Sequence, residues 1–330
     1  MDTKEDEVLL EVRHLKKYFP LKKNAGEEQK YVKAVDDVSF VIHKGEALGL
    51  VGESGCGKST LIRTIMQLIP PTEGSVTFCG KELVGMPKKQ LQAERRNMQI
   101  VFQDPFASLP PKMSVGQILE EPLLCNGFRN HKENLVKIKE IMEQVGLSEG
   151  HINRYAYEFS GGQRQRIVIA RALILKPKLV ILDEPVSALD VSVRSQILNL
   201  LEKLQREMGL TYLFISHDLS VVEHLCDSAM VMYLGHVMEK GSREQIFGNP
   251  SHPYTEALFS AIPSTDVDHP KDRIILGGEI PSPVNPPKGC VLKTRCKYCT
   301  EICDNYPQQL EIEKGHFVSC MKPLKKEAKI

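Results

Sequence analysis

Three short segments carry residue types whose spacing suits phosphate chemistry. Gly52-Glu-Ser-Gly-Cys-Gly-Lys-Ser59 fits the pattern G-x-x-x-x-G-K-[ST]. Glycines so placed let successive backbone N–H groups turn inward around phosphate oxygens, and the N-terminus of a following helix adds positive potential. Lys58 can then reach the β- and γ-phosphates, and Ser59 offers a hydroxyl to Mg2+. Gly52, Glu53, Ser54, Gly55, Cys56, Gly57, Lys58, Ser59 and Thr60 are therefore the expected nucleotide cradle. Lys178–Pro185 reads KLVILDEP, an apolar strand ending in two carboxylates. Such a pair divides the work, Asp183 holding Mg2+ and Glu184 orienting or deprotonating an attacking water. Phe159-Ser-Gly-Gly-Gln163 precedes a helical stretch, and taken alone it is a helix start with Ser160 as cap and two glycines for turning.

These segments need a scaffold of alternating strands and helices. Ala47–Val51 is apolar or Gly and leads into the Gly-rich loop. Ser59–Leu68 then spaces Leu61, Ile62, Ile65 and Met66 as on a helix face. After Lys178 come a short buried-type strand (Leu179–Leu182), an amphipathic helix (Val191–Met208) and another strand (Tyr212–Ile215), the order that builds a parallel sheet. Residues 8–19 and 31–43 alternate apolar and polar and read as paired strands, joined by the polar stretch Lys22–Gln29. Residues 104–175 carry helical periodicity and Pro/Gly punctuation but no clear strand, so a helical subdomain is expected there. From Pro263 the texture changes to Pro and Cys, which places a boundary near residue 264 between a domain at 1–263 and an extension at 264–330. No internal repeat is visible, which means one such unit per chain.

Composition removes whole classes of function. The chain has 330 residues, 42% hydrophobic and 26% charged, an ordinary globular mix that excludes collagen-like and disordered proteins. Lys+Arg 43 against Asp+Glu 42 leaves +1, so no global charge attracts nucleic acid or an anionic membrane. No apolar run reaches the roughly 18 residues of a membrane span, and MDTKEDEVLL lacks a signal-peptide pattern. An intracellular chain that does not span a membrane is expected.

Taken together, the loop, the D-E pair and Ser160-Gly161-Gly162-Gln163 resemble the ATP-binding cassette (ABC) ATPases, whose signature is L-S-G-G-Q; Phe159 replaces the Leu. The resemblance implies an α/β fold, a P-loop NTPase with a parallel-sheet RecA-like core, an antiparallel β subdomain and a helical subdomain at about 104–175. It implies further site residues. Gln103 matches the Q-loop glutamine near Mg2+ or the water, Ser187-Ala188-Leu189-Asp190 the D-loop, and His217 the switch histidine at the γ-phosphate. Phe19 matches the aromatic that stacks on adenine, with Tyr18 an alternative one residue away. Ser160 to Gln163 would act in trans, on ATP held by the P-loop of a second cassette, so that ATP joins a dimer. SHPYTEAL at 251–258, GEIPSP at 278–283 and PPKGC at 286–290 are similar to the tail of oligopeptide and dipeptide importer ATPases, and Arg171-Ala172 and Tyr212–Val222 to their F-type subunit. Implied partners are a sister ATPase in a heterodimer, two transmembrane permease subunits and an extracytoplasmic solute-binding protein. The implied location is the cytoplasmic face of the cell membrane. A soluble ABC ATPase acting on ribosomes or nucleic acid is the alternative. It would need two cassettes or a basic linker, which this chain lacks.

Five of the nine cysteines fall in the last 41 residues. Cys290, Cys296, Cys303 and Cys320 are spaced C-x5-C-x6-C-x16-C, with Cys299 extra. Four soft thiolates suit an iron–sulfur cluster or tetrahedral zinc. Some peptide-importer ATPases carry a [4Fe–4S] cluster at these positions, so the resemblance favours that cluster, as a structural staple. Cys56 fills a variable P-loop position, where a thiol could be oxidation-sensitive.

Overall fold

The computed structural model describes residues 7–23, 28–261 and 273–324. The boundary expected near residue 264 lies outside the described residues. The chain forms two compact units.

One unit comprises residue 7, His43–Glu46 and Met86–Ser216. Its centre is three parallel strands, with Leu179–Asp183 between Met98–Val101 and Thr211–Ile215, so that Leu182 stands level with Val101 on one side and Phe214 on the other. Val180, Ile181 and Leu182 are buried, the unbroken apolar run that a strand covered on both faces requires. Between residues 104 and 175 lie the helices Pro105–Ser108, Val115–Cys125, His131–Gln144 and Gly161–Leu173. Ser114 and Gln117 close a capping box on Val115–Cys125, and the side chain of Asn130 caps His131–Gln144, which sets where each helix begins. Val191–Met208 buries Ile197, Leu201 and Leu204 along one face and stops at Gly209, whose φ of 63° ends the helix without a steric cost.

The other unit comprises Val8–Ile42, Ala47–Gly85 and the chain from His217 onward. Val8–Pro20 and Tyr31–His43 are hydrogen-bonded neighbours, as their alternation predicts. Glu73–Phe78 and Lys81–Glu82 continue that sheet antiparallel. A second set of strands begins with Ala47–Val51, parallel to Ser228–Tyr233, and continues antiparallel through His236–Ser242, His316–Val318 and Leu310–Glu313. Part of the cysteine-rich region is thus sheet, hydrogen-bonded to the strand His236–Ser242. The helix after the Gly-rich loop spans Lys58–Ile65, shorter than its periodicity suggests. Gln67 turns left-handed at φ 54°, and Leu68 is left exposed. Among the described residues no helix is long and apolar enough to cross a membrane.

Candidate functional site

The loop Gly52–Ser59 joins the buried strand Ala47–Val51 to the helix Lys58–Ile65. Its glycines are obligatory for different reasons. At Gly52 (φ 152°) and Gly57 (φ 109°) a Cβ would stand 2.2 Å from the carbonyl oxygen of Met232 and 2.1 Å from that of Ala34. Gly55 meets nothing but holds φ 78°. Gly57 is the N-cap and makes no side-chain cap bond, so the positive end of this helix faces the loop, as anion binding requires. Lys58 is buried and donates to the carbonyls of Gly52 at 2.7 Å and Glu53 at 3.0 Å. Cys56 is buried, and desolvation pushes its thiol up despite the ammonium of Lys58 nearby. The expectation of an oxidation-sensitive thiol there is therefore corrected: a shielded, protonated sulfur is a poor nucleophile.

Tyr18 and Phe19 part company in the strand Val8–Pro20. The hydroxyl of Tyr18 donates to Asp36 and its ring lies under Lys33, whereas Phe19 is 37% exposed with only the Lys17 ammonium over its ring. Of the two, Tyr18 has its hydroxyl engaged and Phe19 is the one with an exposed ring. His217 follows the strand Thr211–Ile215 and is exposed.

In the other unit the strand Leu179–Asp183 delivers Asp183 and Glu184 at its carboxyl end. Glu184 has φ 49°, a left-handed conformation that costs a side-chain-bearing residue about 1–3 kcal/mol. Its N–H donates to the carbonyl of Ile215 at 3.0 Å, and Ser187 donates back to its carbonyl through both N–H and hydroxyl. These bonds hold the strained turn and aim the carboxylate, which accepts from the amide of Gln103 at 3.1 Å. Two residues 81 positions apart in sequence thus share one hydrogen bond.

The signature segment is a capping box. The Ser160 hydroxyl accepts from the Gln163 N–H at 3.4 Å, and the Gln163 side chain accepts from the Ser160 N–H at 3.1 Å. A Cβ on Gly162 would meet Val193 at 2.4 Å and one on Gly161 would meet Leu189 at 3.6 Å, which seats the signature turn against the segment Ser187–Asp190 and the helix behind it. Asp190 is the N-cap of that helix, with its side chain uncommitted to the cap.

Residues 35–187 match the ABC transporter family, and residues 238–303 match the C-terminal region of oligopeptide/dipeptide transporters. The oligopeptide transport ATP-binding protein AppF of Bacillus subtilis is 50% identical over 325 residues, 97% of this chain and 99% of that one. The dipeptide transport ATP-binding protein DppF of Haemophilus influenzae is 51% identical over 320 residues, 97% and 98% of the two chains. The chain belongs to the ATP-binding proteins of ABC-type oligopeptide/dipeptide transporters. This peptide-transporter cassette is an ATPase, with ATP and Mg2+ as its expected cofactors. Among solved structures it is similar to a dimeric ATP-binding cassette in a post-hydrolysis state with ADP and Pi, at TM-score 0.62 and 30% identity, covering 71% of this chain and 99% of that one. Nothing in these matches supports action on ribosomes or nucleic acid.

The cysteine segment of this transporter cassette is tightly folded. Cys290 and Cys303 are buried, Cys296 and Cys320 half-buried and Cys299 exposed. The Cys290 N–H donates to the Cys303 carbonyl at 2.9 Å, next to Gly289 at φ 80°, where a Cβ would stand 2.4 Å from that carbonyl. Burial, then the neighbouring Cys320, Cys303 and Cys296, push the Cys290 thiol up to about 11. Yet among the described residues no group of three or more His, Cys, Asp or Glu side chains is arranged to hold a metal ion. The arrangement therefore does not support the iron–sulfur or zinc expectation.

The buried contacts of Glu239 and of His252, the second residue of SHPYTEAL, are not predicted by spacing along the chain. Glu239 is fully buried and accepts from the N–H groups of Ser251 and His252 and from the His316 ring, 77 positions away. His252 is also buried and accepts the Tyr254 N–H at 3.0 Å. Burial pushes its pKa from 6.5 down to about 4, against the pull of Glu239. The folded-state value lies below the unfolded one, so stability is fully present above about pH 6.5 and is lost as pH falls toward about 4, by on the order of 3 kcal/mol. Urea melts at pH 7 and pH 5 should show His252→Asn losing less stability than the wild type across that interval. Equal losses would remove His252 from the acid sensitivity.

Proposed function

We propose that this chain is the ATP-hydrolysing subunit of a peptide importer, working at the cytoplasmic face of the membrane beside a sister ATPase, two permease subunits and a solute-binding protein. The observation that carries the chemistry is the Gln103–Glu184 hydrogen bond on a strained turn. The family match over residues 238–303 carries the cargo class. In this reading Gly52–Thr60 binds the phosphates, with Lys58 turning its ammonium from the Gly52 and Glu53 carbonyls to phosphate oxygens. Phe19 stacks on adenine. Ser59, Asp183 and Gln103 are the residues that would hold Mg2+, which supplies charge neutralisation on the phosphates. Glu184 takes the proton of the attacking water, oriented by Gln103, and His217 hydrogen-bonds the γ-phosphate. Ser160, Gly161, Gly162 and Gln163 supply a hydroxyl and helix-start N–H groups to ATP on the partner cassette, and Ser187, Ala188, Leu189 and Asp190 back that surface. Binding closes the pair and hydrolysis reopens it.

The test is to purify the Glu184→Gln chain with ATP from gently solubilised membranes of its host. Two multispan proteins and a second ATPase are expected to accompany it. A second copy of this chain in place of the sister would make the pair a homodimer, and ribosomal proteins or nucleic acid would overturn the transport reading.

The iron–sulfur reading of Cys290, Cys296, Cys303 and Cys320 rests on the resemblance of the tail to peptide-importer ATPases, since four soft thiolates alone suit zinc as well. Anaerobically purified protein would have to show about four irons and sulfide per chain, lost in Cys303→Ser. Metal-free protein of full stability would end that reading and leave Cys290 and Cys303 as packed thiols.

A further inference from the structure

Glu53 of the phosphate loop is held from three sides. Lys58 of the loop itself binds its carbonyl. The other two groups come from the C-terminal part of the chain. The hydroxyl of Tyr254 accepts its N–H at 3.1 Å, and the guanidinium of Arg295 grips its carboxylate with two bonds, at 3.0 and 3.4 Å. Arg295 is fixed in turn. Its side chain is only 9% exposed, it donates to the Tyr233 hydroxyl at 3.3 Å, and its guanidinium lies 5.7 Å from the centre of that ring. Tyr233 packs on Tyr254 with ring centres 4.8 Å apart. The Arg295 N–H donates to the Leu292 carbonyl at 2.8 Å, within the turn between Cys290 and Cys296.

We propose that Arg295 is a positioning residue of the phosphate loop, through which the cysteine-bearing segment sets the affinity of the loop for ATP. This rests on reading Gly52–Ser59 as the ATP cradle. The physical reason is charge and shape together. A carboxylate on a loop that must receive a triphosphate repels it, and a forked, half-buried ion pair removes that repulsion. The same pair, with the Tyr254 bond, fixes the backbone of Glu53 two residues before Gly55, where the loop has no side chain to restrain it. Whatever shifts the turn between Cys290 and Cys296 moves Arg295 and so acts on ATP binding.

The experiment compares the full chain with Arg295→Ala, Arg295→Lys, Glu53→Gln and the double variant, reading equilibrium binding of a fluorescent ATP analogue, KM for ATP and kcat. Arg295→Ala is expected to raise Kd and KM about tenfold, with a much smaller change in kcat. Arg295→Lys, which keeps the charge but loses the fork, should recover part of the loss. In the Glu53→Gln background the same change should cost less than about threefold, because no carboxylate is left to neutralise. KM and Kd within twofold of the wild type for folded Arg295→Ala, or an equal loss with and without the Glu53 carboxylate, would overturn the proposal. Should Arg295→Ala not fold, Arg295→Lys in the two Glu53 backgrounds decides the same question. Lys58→Ala separates the two readings. If it binds the analogue normally, the ATP cradle itself is misplaced; if it loses binding while the Arg295 variants do not, only the coupling fails.

Discussion

Glu184→Gln is expected to bind ATP within about threefold of the wild type and to hydrolyse it at least about a hundredfold more slowly, the scale of a lost general base. The substitution removes one proton-accepting oxygen and leaves the rest of the turn in place. The backbone still holds φ 49°, the N–H still reaches Ile215, and Ser187 still reaches the residue 184 carbonyl. Gln103 loses part of its acceptor, yet its loop is anchored separately, since Asp104 caps the helix Pro105–Ser108. The effect should therefore appear in kcat and not in stability or ATP affinity. Single-turnover hydrolysis with equilibrium binding checks it. Near wild-type turnover would remove Glu184 from its role as base, and loss of binding would mean that the carboxylate holds the nucleotide instead.

Lys58→Ala is expected to fail one step earlier. A charge-assisted hydrogen bond is worth about 1.5–3 kcal/mol, so the loss of the ammonium should weaken ATP binding by about tenfold to a hundredfold before hydrolysis is reached. The variant also leaves the Gly52 and Glu53 carbonyls without the buried donor that serves both. It should therefore unfold at lower denaturant concentration, by about 1–3 kcal/mol, and saturating ATP should raise its stability by about 1.4–2.8 kcal/mol less than it raises the wild type. Binding of a fluorescent ATP analogue and urea melts with and without ATP test both parts. Undiminished protection by ATP would show that Lys58 serves the empty loop and not the phosphates.

Much of the site was legible because its parts are local. In Gly52–Ser59 the chemistry comes from consecutive backbone N–H groups and one lysine, and a short peptide with glycines at those places has few other conformations that avoid clashes. In Leu179–Glu184 an unbroken apolar run must be a covered strand, so the first carboxylates stand at its tip. In Ser160–Gln163 the serine and the glutamine three residues later close a capping box on the start of the helix Gly161–Leu173, a geometry that spacing alone sets. The same locality explains the errors. Periodicity extended the helix after the loop to Leu68 because it does not register the left-handed turn at Gln67. The extension after residue 264 showed no strand in its Pro and Cys texture, because Leu310–Glu313 and His316–Val318 are short and become strands only by pairing, His316–Val318 with Glu239 and Lys240 and Leu310–Glu313 with His316–Val318.

The sequence by itself therefore determined the phosphate loop, the carboxylate-tipped strand, the capped signature helix and the family they resemble, since each depends on residues within a few positions of one another. Only the tertiary structure decided which distant side chains meet. Gln103 reaches Glu184, Tyr18 is tied down by Asp36 and so leaves Phe19 exposed, Cys56 is buried beyond reach, and Arg295 closes on Glu53 across 242 positions. Such contacts are made by the packing of whole strands and helices, and no spacing along the chain encodes them.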